Sequence, residues 1–333
     1  MRVFALLPLF LSISVNAFAQ VDAFVNINFK KADSVARLYP NYSLENLLDL
    51  SNKLTSPLTT DVEKFRAIYT WVCLNIENDY ELFMKNQNKR KKLKDPAALK
   101  AWNKEFGLVV FKELRKNKST ICTGYAYLIR ELATFAGITC VIVDGYGRTV
   151  QANVGGIGEV NHSWNAVHLN GKWYLCDATW SSGGMDLEQR AFIKKYNDVY
   201  FLLDPRLFVR NHYPIDTTYF FLSKKPTLTE FLRGPIVYVD FFEYTFYDLD
   251  PEVYLINVAK KQPVRFEFTG NRKTIQKIEL QVKRSNLYDI ATPNFMQTDG
   301  TLSFDHAFKS NGLYTVNIKA DDKFIVTYTI LVK

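Results

Sequence analysis

Four cysteines and four histidines are the side chains of this sequence suited to nucleophilic and near-neutral base chemistry. Their spacing narrows which of them can work together. Two apolar runs, 162–169 and 172–179, flank Asn170-Gly171, the strongest short hairpin signal a sequence can carry. A two-residue turn there pairs Leu169 with Lys172, sets Trp164 opposite Asp177, and sets His162 opposite Thr179. His162 and Asp177 then become diagonal neighbours on one face, about 7–8 Å apart at Cα. A carboxylate so placed accepts a proton from one imidazole nitrogen, fixes the tautomer, and leaves the other nitrogen as a base. Cys176 falls on the opposite face of the same strand and is not the partner of this pair.

Cys122 supplies the nucleophile. It begins a run in which Tyr125, Leu128, Ile129, Leu132 and Phe135 recur at helical spacing and Gly137 provides the stop. Unpaired backbone N–H groups and the dipole at a helix start favour a thiolate and could hold an oxyanion. Gly124 leaves room for a substrate backbone to approach. Cys73 sits in a helical pattern and Cys140 and Cys176 in strand patterns, so packing accounts for those three; four cysteines in 333 residues are no disulfide framework. Each of Cys122, His162 and Asp177 alone has a common structural explanation, and together they describe a nucleophile, a base and its orienter. His168, near the turn, and His212 read as structural. The four histidines, His306 included, show no ligand spacing such as H-x-x-x-H, so no metal site is expected.

The elements that must hold these groups are legible. Ser43 precedes Leu44, Leu47, Leu48 and Leu54 on one helical face, and Thr60-Asp61-Val62-Glu63 is a capping box before Val62, Phe65, Tyr69, Val72 and Ile76. A β-branched run over 138–145 and a loop around Gly155, Gly156 and Gly158 precede the hairpin. Thr227 to Glu230 caps a short helix and Gly234-Pro235 punctuates it. Strands are then expected at 237–242, 253–258, 264–268, 275–282, 313–318 and 324–332, the texture of a small β-sandwich. The division predicted is an N-terminal helical segment 20–59, a catalytic domain 60–225, a linker 226–235 and an immunoglobulin-like sandwich 236–333.

Arg2, an apolar stretch over 3–15 and Ala17-Phe18-Ala19 fit a signal peptide, 1–19, cleaved near Ala19. The stretch is shorter than the ~20 residues that span a bilayer, so an exported protein, periplasmic or extracellular, is expected rather than an anchored one. The formal charge is +8. Lys89, Arg90, Lys91 and Lys92 form its densest run, in 85–94, read as a solvated loop able to touch an acidic surface or polymer. Stacking aromatics are not interleaved with it, which argues against nucleic acid.

Ile121-Cys122-Thr123-Gly124-Tyr125-Ala126 resembles the nucleophile motif of transglutaminase-like enzymes. His162-Ser163-Trp164-Asn165-Ala166-Val167 and Asp177-Ala178-Thr179-Trp180 resemble that family's histidine and aspartate blocks, in the same order. Tyr196 to Leu202, Asp204-Pro205 and His212-Tyr213-Pro214 are similar to its kyphoscoliosis-peptidase branch. The resemblance covers about 60–232. It implies an α+β, papain-like core with the cysteine helix packed on an antiparallel sheet, and thioester chemistry on the amides of a protein or peptide, with no cofactor. Hydrolysis of peptide bonds is the expected outcome; transamidation, deamidation, or an inactive binding or adhesion protein of the same fold are the alternatives. Thr120 stands where the family usually has Gly, and the basic insert over 85–99 enlarges the approach to Cys122. Trp164 and Trp102 are further candidates for contact with substrate or oxyanion.

Overall fold

The computed structural model describes Phe24 and residues 27–333 except 94, 187, 271 and 272; the predicted signal peptide lies outside the described residues. Three helices open the chain: α1 (Lys30–Arg37), α2 (Leu47–Thr55) and α3 (Asp61–Asn75). The capping box of α3 forms as expected, Thr60 and Glu63 each bonding the other's backbone. Asn46 rather than Ser43 caps α2, so Leu44 precedes the helix and Leu48 faces solvent. Leu50 and Leu54 of α2 share one apolar core with Val62, Phe65 and Leu128.

The next stretch departs from expectation. A short strand β1 (Glu77–Asn78) leads into α4 (Tyr80–Arg90) and the long α5 (Pro96–Asn117), which returns to β2 (Ser119–Thr120). The basic run is therefore loop only in part: Lys89 and Arg90 end one helix of a hairpin, and Lys91 and Lys92 lie in the exposed turn after it. Asp95 and Pro96 are the cap and first residue of α5, with Asp95 accepting from the N–H groups of Ala97 and Ala98. Phe106, Val110 and Leu114 recur every four residues and are buried. Parallel pairing of β1 with β2 closes the base of the hairpin and delivers the chain to Cys122.

Helix α6 (Cys122–Phe135) follows, ended by Gly137 at φ 75°; Phe135, expected on its inner face, is instead exposed. The sheet comprises β3 (Cys140–Gly147), β4 (His162–Leu169) and β5 (Lys172–Cys176), and the Asn170-Gly171 turn gives the predicted register, Leu169 opposite Lys172. β5 is shorter than expected because the chain turns at Asp177 into α7 (Ala178–Ser182). Then come β6 (Gly183–Asp186), β7 (Ala191–Lys194), α8 (Pro205–Phe208) and β8 (His212–Pro214), the last joining the sheet in the order β5-β4-β3-β8. One face, with Val167, Leu169, Tyr174 and Cys176, packs beneath α6 and α3. The other, with Trp164, Ala166 and Leu175, shares a core with the C-terminal sheets.

After α9 (Leu228–Arg233), the expected strand at 237–242 resolves into β9 (Ile236–Val237) and α10 (Val239–Glu243), which buries Phe241 and Phe242. The remaining strands are β10 (Asp248–Asp250), β11 (Leu255–Val258), β12 (Pro263–Thr269), β13 (Ile278–Arg284), β14 (Leu287–Ala291), β15 (Phe295–Thr298), β16 (Thr301–Ala307), β17 (Gly312–Ala320) and β18 (Lys323–Val332). They form a four-stranded sheet, β10-β12-β16-β15, and a second sheet, β11-β18-β17-β13-β14, with β9 on β18. β11 runs parallel to β18. The sequence reading missed β10, β14, β15 and β16.

Arg148 ties the two halves together. Its guanidinium is buried, forms no ion pair among the described residues, and donates to the carbonyls of Phe231, Gly234 (2.8 Å) and Arg210, so it closes the C-terminal end of α9. A Cβ on Gly234 would lie 2.9 Å from Arg148 Nη1. Arg148→Met should cost about 3 kcal/mol in denaturant unfolding, because it strands buried carbonyls. Arg233→Ala, on the exposed side of the same helix, should leave the midpoint unchanged.

Candidate active site

Asp177 is the pivot of the site. Its backbone is gripped from both sides, the N–H by Tyr200 O (3.1 Å) and the carbonyl by Tyr69 Oη (2.8 Å). Its Oδ1 caps α7 by accepting from Thr179 N (2.8 Å) and Trp180 N (3.2 Å). That leaves Oδ2, which takes His162 Nε2–H at 2.7 Å and a second histidine, His212 Nε2, at 3.0 Å. Two glycines of β3 make room. A Cβ on Gly147 would stand 2.8 Å from the Cβ of His162, and one on Gly145 would stand 2.5 Å from Cη2 of Trp164.

With Nε2 of His162 committed to Asp177, Nδ1 is the nitrogen left for the thiol, and Cys122 is near enough to the ring to raise it. Cys122 is half-buried at the first position of α6, whose N-cap, Ile121, offers no side chain to the open N–H groups. Helices α3, α4 and α5 all have such a cap. The open first turn of α6 can therefore face a developing anion. Both Cys122 and His162 line a cleft of about 440 Å³, walled by α4 and α5 on one side and by the loop 149–161 on the other.

Burial alone would depress the His162 ring, but the Asp177 carboxylate, by charge and hydrogen bond, and the adjacent thiol more than reverse this and raise it to about 10. Burial would raise Asp177, yet His162 and His212 hold it well below the carboxylate range. For His212 burial wins over the same carboxylate and brings the ring down to about 4. One carboxylate oxygen thus raises the first imidazole, while burial outweighs it at the second. His212 Nδ1 is hydrogen-bonded to the Asn211 side chain (2.7 Å), and Asn211 to Tyr200 (2.9 Å). Burial raises the thiols of Cys73, Cys140 and Cys176, Cys140 to about 12.

The structure brings together Cys122, His162 and Asp177 and reassigns the other candidates. Gly124 does not face the cleft: a Cβ there would fall 1.9 Å from Thr120 Oγ1, and its own N–H bonds Ile121 O (2.8 Å). The unusual Thr120 and the glycine are thus packing partners. Trp164 is buried behind the histidines, edge-on to His212 at 5.0 Å. Trp102 stacks on Phe106 within the helical hairpin, donates to Asn86 (2.9 Å) and is not among the residues that line the cleft. His212, read as structural, instead contacts Asp177 directly. Trp180, quoted only within its motif, lines the cleft and stacks on His162 at 5.0 Å.

His162, Asp177 and His212 also present ligand atoms within 4.8 Å of one another, a grouping the sequence spacing did not suggest. A metal there would have to displace both protons that Oδ2 accepts, one from a ring raised to about 10.

This geometry, a cysteine helix over an antiparallel sheet that carries a His–Asp pair, is that of the transglutaminase-like fold. Residues 48–178 match the model of the Transglutaminase-like superfamily, so the chain carries a domain of that superfamily. Within it the chain is similar to kyphoscoliosis peptidase of Mus musculus, 30% identical over 256 residues, 74% of this chain and 36% of that one. It is similar also to kyphoscoliosis peptidase of Homo sapiens, at 31% over 63% of this chain and 30% of that one. Hillarin of Drosophila melanogaster is 27% identical over 66% of this chain and 26% of its own length. The chain thus spans about a third of the length of these relatives.

Two expectations follow. Because His212 is lowered from 6.5 to about 4, the unfolded chain binds its proton more readily. Its stabilising contribution is therefore present above pH 6.5 and lost as pH falls through 4, up to about 3 kcal/mol. His212→Asn should flatten that acid limb in melting curves taken across the interval. Separately, a thiol reagent under native conditions should modify Cys122 at least about 100-fold faster than the three buried cysteines, read by peptide mapping.

Proposed function

We propose that the protein is a cysteine enzyme of acyl transfer, with Cys122 as nucleophile, His162 as base and acid, and Asp177 as the group that holds the imidazole. The observation that carries the reading is the 2.7 Å bond from His162 Nε2 to Asp177 Oδ2 beside a thiol at an uncapped helix start. In this mechanism the proton of the Cys122 thiol already resides on His162, as a thiolate–imidazolium pair, and the sulfur attacks an amide carbon. The tetrahedral oxyanion is held by N–H groups of the first turn of α6. It collapses as His162 returns its proton to the leaving amine, giving a thioester and a free amine. His162 then deprotonates a water, which attacks the thioester and yields a carboxylate and the free thiol.

Peptide-bond hydrolysis is the preferred outcome, supported by the likeness to proteins named peptidases and by the abundance of water as acceptor. We propose further that the chain is exported, its signal peptide 1–19 removed. Residues 60–225 would act as the catalytic unit and 236–333, joined through 226–235, as an accessory sandwich. No helix among the described residues is long and apolar enough to cross a membrane.

A mixed peptide library incubated with the mature protein and a primary amine, followed by intact mass spectrometry, tests the reading. Fragments should appear with the wild type and fall by at least about 10³-fold with Cys122→Ala. Amine adducts would instead make the enzyme a transamidase, and glutamine turned to glutamate a deamidase. Equal conversion by both proteins would remove Cys122 from the chemistry. The reaction should persist in EDTA, whereas its loss there and return with added zinc would make His162, Asp177 and His212 a metal centre.

A further inference from the structure

The charge of this protein is not spread over its surface. Residues 79–118, the helical hairpin with both its caps, hold twelve Lys and Arg against five Asp and Glu, a net of +7. The other 293 residues carry thirty against twenty-nine, so nearly the whole +8 of the chain sits on one element. That element is also one wall of the catalytic cleft, through Phe83, Asn86 and Arg90 of α4 and Asn103, Phe106 and Val110 of α5.

These charges are unspent. Among the described residues no ion pair involves any Lys or Arg of α4 or α5. Lys89 lies over the ring of Trp102 at 5.6 Å, and Lys91, Lys92, Lys100 and Lys104 are exposed. Arg90 is the one that enters the cleft. Its Nη1 donates to Asn103 Oδ1 (2.8 Å) and its Nη2 crosses to the opposite wall, to Val160 O (2.6 Å). Both acceptors are neutral, so the guanidinium charge is left for an incoming group. Asp144 and Glu159 also line the cleft, but neither is paired with Arg90, and Asp144 accepts from Ser163 Oγ (2.6 Å).

We propose that the hairpin 79–118 is a docking surface for an acidic stretch of the polypeptide substrate, with Arg90 taking a carboxylate close to the amide that Cys122 attacks. The inference rests on the acyl-transfer reading for its choice of a polypeptide. A surface that merely concentrated anions would have no reason to continue into the thiol cleft. An extended peptide, rising about 3.3 Å per residue, can lie along the helices and still present an amide to Cys122. Exchange of a neutral carbonyl for a carboxylate turns the Arg90 contact into a charge-assisted, bidentate one. Arg90 would leave Val160 as it does so, and the bridge across the cleft would open only for a substrate bearing the right charge.

The test is binding to full-length mature Cys122→Ala protein, read by fluorescence anisotropy, which needs no turnover. One probe is a short labelled peptide rich in glutamate, and the other is the same peptide with glutamine at those positions. The acidic peptide should bind at least about 10-fold more tightly at low salt. The difference should vanish at about 0.5 M salt, where the Debye length is under ~5 Å. Adding Lys89→Gln, Lys91→Gln and Lys92→Gln should remove most of the preference without moving the melting temperature. Arg90→Gln should remove the part that survives at intermediate salt. Equal affinity for the two peptides, or a preference unaltered in the lysine variant, would overturn the proposal. So would a heparin oligosaccharide that binds more tightly than the acidic peptide and is not displaced by it, since the partner would then be a polysaccharide. Acid-selective binding without conversion by the wild type would leave the docking surface standing and remove the acyl-transfer reading. Conversion of both peptides at one rate would do the reverse.

Discussion

A single carboxylate oxygen organises this site. Asp177 Oδ2 accepts from His162 and His212 while Oδ1 caps the short helix that follows. An ionised carboxylate with no solvent contact is sustained only if its lone pairs are filled, and four donors fill them here. The tyrosines that hold its backbone belong to different parts of the chain, Tyr69 to α3 and Tyr200 to the segment before α8. Around that point are ordered the orientation of His162, the turn from β5 into α7, and the placement of Trp180 against the imidazole.

The two faces of the sheet divide the labour. The face under α6 buries thiols and aliphatic side chains and carries the helix that presents Cys122. The opposite face carries Trp164 and Phe208 into a core shared with Phe266, Leu280 and Tyr328 of the C-terminal sheets. The histidines stand at the edge of that second core, and their rings contact Trp164, Trp180 and Phe208. An apolar enclosure of this kind lowers His212 and, by excluding water, strengthens the pull of Asp177 on His162. Arg148 links the start of the cleft loop to the end of α9. The C-terminal half is thereby part of the frame that shapes the cleft.

The helical hairpin is built on different terms. Its core is small, formed by Leu82, Phe106, Val110 and Ile121 with partly buried neighbours, and its charged residues are mostly basic. Both its ends are pinned side by side by β1 and β2, a few residues before Cys122. A long excursion is thus attached at a single point to the segment that bears the nucleophile. Whatever engages the hairpin does so within reach of the thiol.

Local signals determined much of this protein. The Asn170-Gly171 turn fixes hairpin register by turn geometry, and from it alone His162 and Asp177 fall on one face and Cys176 on the other. The capping box at Thr60 and the stop at Gly137 are likewise short-range effects, so the helices they bound could be read from spacing. What the tertiary structure decided depends on separation. His212 lies 50 residues from His162 and reaches Asp177 only because β8 pairs with β3 across two glycines that no periodicity marks as special. Gly124 suggested an approach for substrate because a sequence shows the missing side chain and not Thr120 filling its place. The basic run suggested a loop because charge density speaks of solvation, and Lys91 and Lys92 do lie in an exposed turn, whereas Phe106, Val110 and Leu114, well beyond it, bury the face of the helix that follows. Composition and spacing record the preferences of neighbours along the chain; which distant surfaces meet is settled by burial, and burial is a property of the whole fold.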